Sequence, residues 1–456
     1  SNVDFTLSKT IDLGDVVLSP ANEVLDAVEV LADKPMITYE IDKKVINVEG
    51  MNTVVSQTAV EVLANIPSIT VDMDGNVSLR GSQGFTLLID GRPSAMPPSE
   101  ALQLIQASNI KDIEIITNPS AKYDAEGTSG IINVILKKNK LEGVTTLINA
   151  NGSNAANGPE YWNNGGDFLT SINKGNFKFN IGGQYVNRNR FRDIQQIRET
   201  TIGSETYRIE GDGLHRFWGR NYGGNAAMEY SPNESNFLNV GFDVRKRQWN
   251  AAANYFFDEY SDNLILNQYE NRERTLRDFF VLSGSLGYQH LFEENKDHYL
   301  SLTSTYNLYD GKEDAQTEFF SLEDDFQGGN RNTEVGPSNS IRVSLDYQYP
   351  LINNMKLQFG TRGDFGFSRD DQDGFEYSFD SSAYLRLDSF STDVSYDQNV
   401  YAGYFIVNGE MDKKLGYQFG IRTEFTDRFI ELTNSNFNTG IERLDWFPSA
   451  HFSYKL

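Results

Sequence analysis

From Leu141 to Leu456 the chain repeats one pattern about a dozen times: a stretch in which apolar and polar residues alternate. At 341–349, Ile341, Val343, Leu345, Tyr347 and Tyr349 fall on one face and Arg342, Ser344, Asp346 and Gln348 on the other, because successive side chains of a strand point to opposite sides. The stretch from Lys356 repeats it, setting Leu357, Phe359, Phe365 and Phe367 against Gln358, Arg362, Asp364 and Ser368. Phe177 to Tyr185, Leu300 to Leu308 and Tyr417 to Phe425 read the same way. Each supplies the roughly 9 to 11 residues that a tilted strand needs to cross a bilayer. One face can meet lipid and the other water, and the expected assembly is a large antiparallel transmembrane β-barrel.

The links between these stretches alternate too. Those near Lys174-Gly175, Pro232-Asn233, Glu294-Asn295, Asn353-Asn354 and Lys413-Lys414 are short, whereas the segments near 190–215, 250–276, 311–338 and 370–397 read as long loops. Loops of that length are uncommon inside compact soluble domains. Short turns on one side and long loops on the other fit an outer-membrane barrel. A soluble sandwich or propeller would also alternate, but 30 Phe, 23 Tyr and 4 Trp suit the aromatic girdles where a barrel meets the headgroups.

With 40 basic and 64 acidic residues the net charge is −24, which argues against nucleic acid as a partner. Much of the excess lies in the segments read as outer loops: Glu313, Asp314, Glu318, Glu323, Asp324 and Asp325, then Asp370, Asp371 and Asp373. Solvation of loops accounts for such runs, and cation capture at the cell surface is the sharper alternative. Cysteine is absent, so no disulfide or thiolate metal site can form. His215, His290, His298 and His451 lack metal-ligand spacing, and no nucleophile elbow, phosphate loop or zinc motif occurs. Neither an enzyme nor a cofactor is expected. Asp72-Met73-Asp74-Gly75-Asn76 resembles the start of a calcium loop but lacks the distal acidic ligand, and Asp-Gly serves better as a hairpin turn.

Before the barrel the rhythm changes. Val77 to Leu79, Phe85 to Ile89, Ile113 to Ile116 and Ile131 to Leu136 read as short strands, Ala59 to Ala64 and Glu100 to Gln106 as helices, and Asp74-Gly75 and Asp90-Gly91 as turns. The expectation is a small α/β module. Its residues, Leu79-Arg80-Gly81, Ile89-Asp90-Gly91, Ile113-Glu114-Ile115-Ile116, Pro119, Tyr123-Asp124, Gly127, Gly130 and Ile131-Ile132-Asn133-Val134, closely resemble the plug domain of TonB-dependent outer-membrane receptors, in the form common among Bacteroidetes. The barrel segments resemble the same family more loosely.

The resemblance implies four parts: residues 1–22 as the remnant of a carboxypeptidase-regulatory-like β-sandwich, 23–34 as a TonB-box-like linker, 35–138 as the plug and 139–456 as the N-terminal half of a barrel. It implies TonB as a periplasmic partner that adds a strand to Leu25, Asp26, Val28, Glu29 and Val30, where β-branched residues suit sheet-edge pairing; an ordinary linker strand is the other reading. Arg80, Asp90, Arg92 and Glu114 are the candidate gating residues. They either pair with inward-facing wall residues, at about 0 to 1 kcal/mol per exposed pair, or solvate the module.

Receptors of this family close with about 22 strands, and about 12 are counted here. A closed 12-stranded barrel would be about 24 Å across, too narrow for a plug about 34 Å in diameter, so the expectation is a truncated 22-stranded barrel. The function implied is uptake of a scarce nutrient (siderophore, vitamin, glycan or peptide) across the outer membrane. A plugged barrel serving only as a surface binding or adhesion protein is the alternative. If lipid lies outside, Leu345, Tyr347, Phe359, Phe419 and Ile421 point away from the plug, and Arg342, Asp346, Arg362, Arg422 and Glu424 point toward it.

Overall fold

The computed structural model describes the chain from Ile37 to Tyr454, except for residues 40–42, 49–57, 72–75, 95–97, 106, 108–109, 117–121, 123–129, 138–141, 155–160, 204, 262–263, 296, 353–354, 412–413 and 434–436; residues 1–36 and 455–456 also lie outside the description. The remnant sandwich and the TonB-box-like segment fall outside it, as does Asp74-Gly75.

The first module builds on short elements: β1 (Ile37–Tyr39), β2 (Lys44–Asn47), α1 (Ala59–Ala64), β3 (Ile69–Val71), β4 (Val77–Leu79), β5 (Thr86–Ile89), β6 (Arg92–Pro93), α2 (Pro98–Leu104), β7 (Ile110–Ile116) and β8 (Ile131–Leu136). Six strands form one sheet in the order β1-β2-β7-β8-β5-β6, with β5 and β8 parallel and the other neighbours antiparallel. Helix α1 begins where Thr58 and Glu61 exchange hydrogen bonds with each other's backbone N–H, which satisfies donors the helix cannot pair internally. It buries Val60, Val62 and Leu63 against Leu79, Leu102, Ile113 and Ile132. Asp90 and Gly91 both take positive φ, +51° and +79°, and close the two-residue hairpin that pairs Ile89 with Arg92, as a type I′ turn requires.

The second part is a thirteen-stranded antiparallel sheet: β9 (Gly143–Asn154), β10 (Trp162–Lys174), β11 (Phe177–Ile202), β12 (Glu205–Asn233), β13 (Asn236–Ser261), β14 (Leu264–Leu291), β15 (Tyr299–Ser321), β16 (Phe326–Val335), β17 (Ser338–Pro350), β18 (Lys356–Ser378), β19 (Ala383–Met411), β20 (Leu415–Leu432) and β21 (Phe437–Tyr454). Strands β16 and β17 both lie between β15 and β18. They share one place in the order, split at Gly336-Pro337, where proline cannot donate to the ladder. The expected short links are short: Lys174 pairs with Phe177, Asn233 with Asn236 and Met411 with Leu415.

The expected long loops are different. Residues 190–215, 250–276 and most of 311–338 and 370–397 continue the ladder as outer hairpins, so that β11 to β14 reach 26 to 29 residues. Cross-strand ion pairs replace apolar alternation there: Arg277–Glu313 at 2.6 Å, Arg331–Asp314 at 2.8 Å, Arg369–Asp393 at 2.7 Å and Arg386–Asp373 at 2.6 Å. Of the acidic residues read as loop solvation, Glu323, Asp324 and Asp325 lie in a turn and the others in strands. Among the described residues no cluster of acidic or histidine side chains could hold a metal ion.

The two faces of the sheet invert the pattern of a soluble protein. Leu345, Phe359, Phe419 and Ile421 are more than 40% exposed, while Asp346 is 9% and Arg422 2% exposed. Apolar residues face outward, as a lipid-facing wall requires, and polar ones face inward. The module of β1–β8 packs on the inner face, where Leu169 of β10 and Ala227 of β12 join its hydrophobic core.

Candidate functional site

The contact between module and wall is the candidate site. One row of the inner wall runs from Asp346 on β17 through Gly360 on β18 and Tyr404 on β19 to Arg422 on β20, each directly opposite the next. The Tyr404 hydroxyl passes over Gly360 and donates to the Asp346 carboxylate. A Cβ on Gly360 would lie 2.7 Å from the Tyr404 ring and 2.5 Å from the Leu345 carbonyl oxygen, so only glycine leaves the passage open. From the module, Lys122 sets its ammonium 3.7 Å from Asp346 and 5.7 Å from the centre of the Tyr299 ring. Two further ion pairs line the same face: Arg422 with Glu424 at 2.5 Å and Arg362 with Asp364 at 2.6 Å.

The rest of the contact is small-residue packing and cavity. Leu169 and Ala227 form the apolar seat. Ser94 of the module and Asn239, Ser285, Ser301 and Thr303 of the wall line, together with Phe237, Leu286 and Tyr288, a cavity of about 40 Å³ whose surface is mainly apolar. Among the described residues the module meets the wall through the Lys122–Asp346 pair, a small apolar seat and this cavity.

Residues 37–131 match the family model described as TonB-dependent Receptor Plug Domain, and residues 290–456 match the Outer membrane protein beta-barrel family. The chain carries the plug and the wall of a TonB-dependent receptor. It is an outer-membrane protein, and its family and fold are those of transport receptors. No curated protein matches the sequence. Similar solved structures include the ferric citrate transporter FecA in its unliganded form, at 11% identity and a TM-score of 0.32, covering 91% of this chain and 79% of that one. The ferric preacinetobactin receptor BauA from Acinetobacter baumannii aligns at 11% identity and a TM-score of 0.32, covering 91% and 76%. The siderophore receptor PirA from Pseudomonas aeruginosa aligns at 11% and 0.24, covering 92% and 100%.

In this receptor the candidate gating residues occupy different settings. Glu114 accepts from Lys43 at 2.5 Å and from the Asn133 amide at 2.7 Å, and Asn133 in turn accepts from the Gly91 N–H at 2.9 Å. Asp90 accepts from the Leu136 N–H at 2.9 Å. Both carboxylates thus tie plug strands together. Arg80 lies exposed in the turn after β4 at a φ of +53°, and Arg92 opens β6 opposite Ile89. Among the described residues Lys122, which the sequence reading passed over, pairs with the wall. All five wall residues expected to face inward do so, as neighbours along the β15–β20 register.

Farther along the same face, in the outer hairpins of β11 to β13, lies a recess that sequence reasoning missed. Arg188, Arg190, Arg192 and Arg247 line it together with Phe217 and Trp249. Beside it His215 stacks on Phe217, ring centroids 3.9 Å apart, and burial together with the nearby Arg192 pushes its pKa below the usual imidazole value. Spacing was the available signal: arginines at 188, 190 and 192 share one face of any strand.

Proposed function

We propose that this receptor actively imports a scarce nutrient, with outer hairpins capturing the ligand, the plug closing the lumen, and TonB drawing on the segment around Val28 to loosen the plug. The reading divides the chain as a sandwich-like segment over 1–22, a TonB-engaging linker over 23–34, the plug over 35–138 and the wall over 139–456. It assigns no enzymatic step. The observation that carries it is the contact between plug and wall, in which Lys122 and Asp346 meet at 3.7 Å near a small cavity. Among the described residues, Leu169, Ala227 and the partly buried Leu147 of the wall pack with the plug's apolar core, a small seat that suits a part that must move.

The segment Leu25, Asp26, Val28, Glu29 and Val30 is proposed to hand backbone hydrogen bonds to a TonB strand. Proline removes an N–H and fixes φ. Val28→Pro is therefore expected to abolish capture of the full-length receptor by the periplasmic domain of TonB, while heat-modifiable gel migration shows the barrel assembled as before. Val3→Pro should leave capture unchanged. Capture that survives Val28→Pro would place coupling elsewhere, and a receptor that TonB never captures would be a surface-adhesion platform.

A further inference from the structure

We propose that the outward face of β12–β14, where it rises out of the apolar band, binds the phosphorylated headgroup of an outer-leaflet lipid. The outward residues of β14 run from Tyr288 through Leu286, Leu282 and Phe280 before the first charge, Asp278. The ten steps from Tyr288 to Asp278 climb about 25 Å at roughly 3.3 Å per residue and about 40° of tilt, the height of a barrel's apolar band. On β13 the change falls between Val244 and Lys246, and on β12 between Tyr222 and Arg220. Register sets these changes side by side, with Tyr222 opposite Lys246 and Lys246 opposite Phe280. The face continues the lipid-facing wall below it, where Phe242 is 52% and Leu286 44% exposed.

Charge singles this rim out. From the row Tyr185–Tyr222–Lys246–Phe280 to the row Phe191–Arg216–Ala252–Arg274, the outward positions of β11–β14 carry four cations, Lys246, Arg220, Arg216 and Arg274, and one acid, Asp278. Asp278 is taken by Lys246 at 2.7 Å. Arg220 and Arg274 are exposed and have no acidic partner among the described residues. Arg216 donates to Asn189 at 3.3 Å and lies 5.0 Å from the centre of the Tyr161 ring and 5.1 Å from that of Trp218, so aromatic faces steady its charge. The chain as a whole carries −24, and the outward rim of β18–β20 has the opposite balance, with Arg369 among Asp371, Asp393, Asp397 and Glu431.

Long cationic side chains at the edge of the hydrocarbon reach along their stems to the headgroups, where they meet phosphate. A guanidinium fork donates two parallel N–H bonds to such a group. Tyr222, 43% exposed, and Trp218 add the amphipathic rings that settle at the same level. Because this face looks away from the lumen, a phosphate that reaches it arrives on a lipid and not on a nutrient entering the barrel. The inference rests on the receptor reading only for which end of the wall faces out.

The test refolds the full-length receptor into phosphatidylcholine vesicles that carry diphosphoryl lipid A as a minor component, extracts it in mild detergent and counts retained lipid by native mass spectrometry. The wild type is expected to retain lipid A, and R220Q/R274Q to need about tenfold more of it in the vesicle for the same occupancy, since each cation near an anionic headgroup contributes a few-fold. R247Q, one residue from Lys246 but facing inward, should retain it like the wild type. Lipid A stripped of its phosphates should not be retained. Absence of retention by the wild type, equal retention of the dephosphorylated lipid, or equal retention by R220Q/R274Q in a barrel of normal heat-modifiable migration would overturn the proposal. Displacement of lipid A by millimolar inorganic pyrophosphate would assign the site to soluble anions and overturn it too. Because TonB takes no part, a receptor that fails TonB capture can still pass this test, and the reverse.

Discussion

At the scale of single residues, the inner wall depends on matching large side chains to gaps. Gly360 is the clearest instance, since Tyr404 reaches Asp346 only over a position without a Cβ. Gly360→Ala should therefore destabilise the barrel by about 1 to 3 kcal/mol through overpacking, measured by urea unfolding in lipid vesicles. Gly366→Ala on the same strand, whose added Cβ would lie 3.8 Å from its nearest neighbour, is expected to change little. The inward direction of Asp346, Arg362 and Arg422 was legible from parity alone. That Tyr404 spans to Asp346, or that Lys122 meets it, was not, because those contacts follow from register and docking between segments far apart in the chain. Glu114 illustrates the same limit: its charge was legible, and its partners, Lys43 just before β2 and Asn133 on β8, lie far from it in the chain.

Among the elements, those with a strong local signal were read closely. Helix α1 spans Ala59–Ala64 as its apolar spacing implied, and the Asp90-Gly91 turn closes β5 onto β6. The outer halves of β11 to β15 were read as loops because alternation ceases to contrast apolar with polar once both faces are wet. There the strand is sustained by pairs such as Arg277–Glu313, whose partner is visible only in the register. That misreading concealed the arginine row, which parity would otherwise have disclosed. Lipid sharpens the contrast lower on the wall. Phe359→Arg, on the outward face of β18, is expected to cost about 2 to 4 kcal/mol near the bilayer midplane, while the inward Gln358→Arg, beside Gln348, costs much less. Equal costs in a vesicle refolding titration would contradict the assigned faces.

For the molecule as a whole, the account stands on the plug lying against the polar inner face of the sheet. The receptor's function follows from that placement, since a plug on the outer face would meet lipid and could block nothing. The protein has no cysteine of its own, so a single introduced pair reports on the arrangement. In outer membranes, Lys122→Cys/Asp346→Cys treated with a short bis-maleimide is predicted to form an intramolecular bridge, visible as a gel shift. Lys122→Cys/Leu345→Cys, one residue along and on the lipid face, is predicted not to. Bridging of both pairs alike, or failure of the Asp346 pair to bridge in a folded barrel, would contradict the account.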